Sequence, residues 1–165
     1  MVEYPSSELV SSVVCKLFNM VQPDVVFFGQ KDLQQCAVVR RMAFDLNLPI
    51  EIVTVPTVRE PDGLAMSSRN RYLSEEERRR ALAISRGLFA AADEFRAGER
   101  NVEKLVAIAT GHLATVDRLQ YLELVDGDTL KSAESPLRRP AALCAAAYIG
   151  ATRLIDNVVL ALPTL

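Results

Sequence analysis

The sequence predicts an α/β chain in which a partial doubly wound parallel sheet is followed by a small α+β C-terminal domain with an antiparallel sheet. Three observations predict it. Val25-Val26-Phe27-Phe28 and Ile50 to Val55 are short apolar runs on either side of a helix-period segment, the pattern of two parallel strands joined by a helix. Two capped helical patterns follow between Ser74 and Ala114. From Leu119 onward, strand-like runs alternate with turn residues. The boundary is expected near Arg59, giving domains 1–58 and 59–165.

Met1 to Pro5 read as loose, and Ser6 or Ser7 can cap a first helix. Leu9, Val10, Val13, Val14, Leu17, Phe18 and Val21 recur at helical spacing, and Asn19 to Pro23 end the pattern. After the first strand, Gly29 supplies a permissive turn. Asp32 and Gln35 have the spacing of an acidic capping box. The helix from Leu33 carries Val38, Val39, Met42 and Leu46 as its apolar stripe. Asn47 suits a left-handed C-terminal position, and Pro49 forbids continuation. Thr57 to Arg71 is expected to be an irregular loop with a turn at Asp62-Gly63. Ser74 and Glu77 form a capping box for a long helix to Arg96, which Gly98 closes. Asn101 caps a further helix from Val102 to about Ala114. Leu119 to Val125 alternates like a half-buried strand, Asp126-Gly127-Asp128 turns the chain, and Ala141 to Ile149 and Arg153 to Leu160 complete the antiparallel sheet.

With 165 residues, half of them apolar, and a net charge of −2, the composition is that of an ordinary folded chain. The charge balance gives no electrostatic case for nucleic acid or an anionic membrane as partner. No apolar run reaches membrane-spanning length and no signal pattern opens the chain, so a cytoplasmic location is the expectation. Cys15, Cys36 and Cys144 are an odd, widely spaced set without CxxC, which argues against disulfides and a zinc site. They read as buried small hydrophobes. His112, the single histidine, has no nearby carboxylate or cysteine in sequence and is assigned no role. No metal site is expected among the residues.

Two parallel strands cannot make a stable sheet alone, because their edges and faces would be open. The pattern therefore reads as the second half of a doubly wound sheet. In such sheets, ligands bind beyond the carboxyl ends of the strands. Lys31 stands at such an end as a cation suited to phosphate oxygens. Asp32 is either a ribose ligand or a plain N-cap, and Gln35 either completes the box or faces a ligand. Downstream, Met66-Ser67-Ser68-Arg69-Asn70 offers two hydroxyls and a guanidinium, a cluster able to fold over a polyphosphate. The alternative is a polar linker. No Ser/His/Asp or Cys/His set, GxGxxG or P-loop is present, so phosphate chemistry by positioning and electrostatics is what remains.

Lys16 to Gln35 (KLFNMVQPDVVFFGQKDLQQ) and Pro56 to Arg78 (PTVREPDGLAMSSRNRYLSEEER) closely resemble the pantothenate synthetase family, the pantoate–β-alanine ligases. The likeness continues through Ala97-Gly98-Glu99-Arg100 to Thr152-Arg153-Leu154-Ile155-Asp156-Asn157. The resemblance implies a Rossmann-like nucleotide-binding domain and a two-step, Mg²⁺-assisted reaction. ATP and pantoate give pantoyl adenylate and pyrophosphate, then β-alanine's amine attacks to give pantothenate and AMP. It implies ATP contacts from Gly29, Lys31, Asp32, Val58, Met66, Ser67, Ser68 and Arg69, with Gly29 and Asp32 at the ribose and Val58 at adenine through its backbone. Lys31, Ser67, Ser68 and Arg69 would act on the phosphates, the last three as a mobile loop, and Gln35 on pantoate. A cytoplasmic homodimer is implied as well.

The sequence departs from the family pattern at its start. It contains no H-x-G-H motif, and Tyr4 to Glu8 stand where the family has a His-Phe-x-Gly stretch. The expectation is therefore a C-terminal portion of the family fold with little turnover alone. The alternatives are a non-catalytic oligomerisation or binding fragment, and another nucleotidyltransferase of the same superfamily.

Overall fold

Helix α1 (Ser7–Val21) opens the described part of the protein; the computed structural model describes residues 7–127 and 129–162, with side chains from residue 11 onward. The expected loose segment Met1 to Pro5, the capping side chains of Ser6 and Ser7, the side chains of Leu9 and Val10, and Asp128 of the expected turn lie outside the described residues. Val14 and Phe18 are the buried members of the α1 stripe, while Val13, Leu17 and Val21 are exposed. Gln22 takes φ 51 and donates its N–H to the Phe18 carbonyl at 2.8 Å, a left-handed stop just before Pro23.

The first of two compact units covers residues 1–56. Strand β1 (Val25–Gly29) pairs in parallel with β2 (Glu51–Val55), Val25 opposite Glu51 and Gly29 opposite Val55. Helix α2 (Leu33–Asp45) joins them. Val26, Phe28 and Ile52 pack against Val14, Phe18 and Val39, so both helices cover the same sheet face. The Phe18 and Phe28 rings meet edge-on with centroids 6.5 Å apart. Only one face of the pair is thus covered, whereas a continuous apolar run suits a parallel strand covered on both. Side chains alternate across a strand, and the face bearing Val25 and Phe27 is open, with Phe27 68% exposed.

The α2 stripe is also displaced from the expected one. Leu33, Cys36, Val39 and Ala43 are buried, Val38 and Met42 are half-buried, and Leu46 is exposed. The helix stops at Asp45, Asn47 takes φ 50, and the reversed chain brings Leu48 rather than Leu46 onto the core. Gly29 corrects another expectation. It sits at φ −72 and ψ 128, an extended conformation open to any residue. The capping box at Asp32 is absent too, because the Asp32 side chain makes no capping hydrogen bond. A 3₁₀ turn over Gln30–Asp32 feeds straight into α2.

The second unit covers residues 57–165. Helix α3 (Glu75–Arg96) starts on the expected reciprocal box: Glu77 N–H bonds Ser74 Oγ at 3.2 Å, and Ser74 N–H bonds Glu77 Oε2 at 2.8 Å. Gly98, at φ 112, closes it. Asn101 Oδ1 accepts from Lys104 N–H at 2.8 Å to start α4 (Val102–His112), which ends sooner than Ala114 in a 3₁₀ turn over Leu113–Thr115. Strands β3 (Arg118–Asp126), β4 (Ala141–Ile149) and β5 (Thr152–Leu160) form an antiparallel sheet in that order. The alternation expected along β3 is broken by a register shift between Leu119 and Tyr121, and the sequence neighbours Leu124 and Val125 are both buried.

Central β4 presents Leu143, Ala145, Ala147 and Ile149 to a core completed by Leu88, Leu105 and Leu160. Its alanines let α3 lie close on the sheet. At the α3–α4 contact, a Cβ on Gly87 would stand 2.7 Å from the Ala109 carbonyl oxygen, so only glycine permits this approach. All three cysteines are free. Cys36 and Cys144 are buried as expected, but Cys15 is half-buried. Burial pushes the Cys144 thiol up to about 12 and raises that of Cys36, which makes both poor nucleophiles.

Candidate functional site

In the first unit, the parallel pairing places Gly29 and Val55 flush at the carboxyl ends of both strands. Lys31 and Asp32 follow within the 3₁₀ turn, and Gln35 lies in the first turn of α2. The structure thus gathers Gly29, Lys31, Asp32 and Gln35 at one end of the sheet. Asp32 is exposed, and Lys31 and Gln35 are half-buried. With no cap bond to make, the Asp32 carboxylate is not accounted for by helix capping. Cys36 Sγ reaches the Gly29 carbonyl at 3.4 Å, tying the helix start to the strand end.

In the second unit, the stretch expected to be irregular is ordered. Met66 N–H bonds the Val58 carbonyl at 2.9 Å, Glu60 N–H bonds Leu64 O at 2.8 Å, and Arg59 bridges Ala65 as in a short hairpin. Gly63 turns it at φ 94, a conformation that favours glycine. A 3₁₀ helix over Ser68–Tyr72 follows, capped by Ser67, whose Oγ accepts from Arg69 N–H at 3.3 Å. Val58 and Met66 are therefore neighbours across the hairpin. Ser67 is half-buried, while Ser68 and Arg69 are exposed at the start of the 3₁₀ helix.

A polar network absent from the expected site residues fixes this loop. Arg59 makes a two-pronged pair with the buried Asp156 of β5, at 2.7 and 2.9 Å, donates to the Gly63 carbonyl at 3.1 Å, and lies 4.6 Å over the Phe89 ring. Such a fork is directional as well as strong. Buried Asn70 donates through Nδ2 to Glu60 Oε1 at 2.5 Å and to the Ala65 carbonyl at 3.1 Å. Arg78 of α3 holds Glu60 at 2.5 Å and Asp62 at 2.7 Å. The Asn70 amide and then the Arg78 guanidinium hold the Glu60 carboxyl below its ordinary range. Burial pushes Asp62 up, but the Leu64 N–H and Arg78 outweigh it and the net direction is down. Both stay ionised at neutral pH and keep Arg78 paired.

The network braces the loop from below and leaves Ser68 and Arg69 with no side-chain hydrogen bond or ion pair among the described residues. Two hydroxyls and a cation on a fixed backbone suit an anionic ligand, since donors already in position need little reordering on binding. The supporting residues were visible in sequence only as members of the Pro56–Arg78 stretch and of Asp156-Asn157. Nothing in local spacing pairs Arg59 with a carboxylate on the last strand. Among the described residues no group of three His, Cys, Asp or Glu side chains is placed to hold a metal ion. No helix among them is long and apolar enough to cross a membrane.

A family model described as pantoate-beta-alanine ligase matches residues 7–159. Pantothenate synthetase 1 of Bradyrhizobium diazoefficiens is 77% identical over 151 residues, which are 92% of this chain and 53% of that protein. The crystal structure of pantothenate synthetase from Thermus thermophilus superposes with a TM-score of 0.87 at 39% identity, over 98% of this chain and 63% of that one. The pantoate-beta-alanine ligase of Francisella tularensis, solved in complex with beta-gamma ATP and beta-alanine, gives a TM-score of 0.61 at 30% identity, over 92% and 49%. The chain spans about half the length of the curated relatives it matches.

Proposed function

Because the chain belongs to the pantoate–β-alanine ligase family, we propose that it serves the ATP-dependent condensation of pantoate with β-alanine. In the first step a pantoate carboxylate oxygen attacks the α-phosphorus of ATP, and the bond to pyrophosphate breaks. In the second, the β-alanine amine attacks the acyl carbon, AMP departs with the bonding electrons, and the amine loses a proton. Lys31, Ser67, Ser68 and Arg69 are assigned to the phosphates, where charge moves onto the leaving pyrophosphate. Asp32 and Gly29 are assigned to the ribose, Val58 and Met66 to the nucleotide, and Gln35 to pantoate. Magnesium enters this reading with the nucleotide, since the described residues offer it no cluster of their own.

The observation that carries the proposal is the position of Lys31 and Asp32 at the carboxyl end of a parallel strand pair. The test is nucleotide binding by calorimetry, with AMP formation from ATP, pantoate, β-alanine and Mg²⁺ followed alongside. Lys31→Ala is expected to weaken ATP binding at least about tenfold, the scale of a lost charged hydrogen bond. AMP release that needs both pantoate and β-alanine would locate the whole reaction in this chain. ATP binding unchanged in Lys31→Ala would remove the assignment.

The open face of the first unit favours a second reading, association with another copy of the chain. Light scattering across a concentration series tests it, and a monomer throughout would rule it out.

A further inference from the structure

The second unit carries a cavity of about 370 Å³ whose walls come from α3, the end of α4 and the following turn. None of its residues belongs to the Lys31 or Ser67–Arg69 sets. Glu76, Arg79, Arg80, Ala83 and Arg86 recur at three- and four-residue spacing, so one face of α3 supplies most of the wall. Ala83 is small, and the space it leaves lies between Arg79 and Arg80 on one side and Arg86 on the other. His112 closes the cavity from the last position of α4. It is brought there by the contact at Gly87, where an added Cβ would lie 3.2 Å from His112 Cβ.

The charges in the wall are not balanced. Arg80 is held by Asp117 at 2.5 Å, and Asp117 is itself fixed by the Gly150 N–H, also at 2.5 Å. That pair is internally neutral. Glu76 contributes one carboxylate. Arg79 and Arg86 are exposed and make no hydrogen bond or ion pair among the described residues. The cavity therefore holds two uncommitted guanidinium groups, a fixed third and an imidazole around a pocket the size of a small ligand.

We propose that this cavity binds the phosphate group of a small phosphorylated molecule, with Arg79 and Arg86 as the ligating forks and His112 alongside. Guanidinium forks match phosphate oxygens in pairs, and the volume exceeds that of bare phosphate, so a phosphomonoester fits better than the inorganic ion. His112 makes the test direct. It is the only histidine, so its ring carbon-bound protons give an unambiguous signal in the NMR spectrum of the full chain.

The chain is titrated at fixed pH with inorganic phosphate and with glycerol phosphate, chloride holding the ionic strength constant. The expected result is a saturable His112 shift, reached at lower concentration with the ester. Arg79→Gln and Arg86→Gln, singly and together, keep helix propensity on exposed positions. The double variant is expected to weaken binding at least about tenfold. A shift that grows linearly, that chloride reproduces, or that the double variant retains overturns the proposal. Saturation by inorganic phosphate with no gain from the ester overturns the size argument and leaves a site for the bare ion.

Discussion

The second unit buries Leu88, Leu105, Leu143, Ile149 and Leu160 to 2% exposure or less, whereas the first leaves Phe27 68% and Val25 41% exposed. The difference is architectural. Nine-residue antiparallel strands with a long helix laid across them close one continuous core, while two five-residue parallel strands with both helices on the same face leave the other face open. The polar groups follow the same division. In the second unit, the Arg59–Asp156 pair and the Asn70–Glu60–Arg78 set together support the Ser67–Arg69 loop. In the first, the candidate ligand residues rest on a short strand end and one helix start. One set of candidate residues is thus firmly braced and the other lightly, and the two should respond differently to perturbation.

The largest expected effect is on the network. Asp156→Ala strands the Arg59 guanidinium without its carboxylate and is expected to cost the second unit about 3–5 kcal/mol, measured by urea unfolding. A loss below about 1 kcal/mol would mean the pair is not holding the loop, and the contrast between the units would fail.

A smaller, graded effect is expected with acid. Glu60, Asp62 and Asp117 all have folded-state pKa values lowered from their ordinary 4.5 and 3.8. The unfolded chain therefore takes up protons first as pH falls, and the stability these groups contribute is present above the ordinary values and lost as pH drops through the folded ones. The urea midpoint of the second unit should stay level between about pH 7 and 5 and fall below about pH 4.5. Glu60→Gln should shallow that fall; an unaltered profile would separate the network from acid sensitivity.

The smallest effect is expected on the open face. Phe27→Thr, at a 68% exposed position of β1 that keeps a strand-forming side chain, should change stability by no more than about 0.5 kcal/mol. A loss several times larger would show that this face is covered in solution, which would bear out association and redraw the comparison.

Reading the residues in order located every α-helix and strand of the described chain, because caps, stops and periodicity are local. Ser74 with Glu77, Asn101, Asn47 and Gly98 all act where their neighbours say they should. Two of the local readings that failed did so at a junction. Gly29 is extended and Asp32 leaves its cap bond unmade, since the 3₁₀ turn between strand and helix sets the backbone there. The candidate ligand residues were legible as two short polar stretches and as a family likeness, but not the residues that brace them.

The sequence by itself determined the element order, the strand pairing class and the family. Each follows from spacing within about a helix or strand length, or from long identical stretches. Only the tertiary structure decided that Asp156 meets Arg59 across 97 residues, that Gly87 draws His112 toward the arginines of α3, and which face of the first sheet is covered. Those contacts depend on how surfaces close in space, and the distance along the chain between partners carries no trace of it.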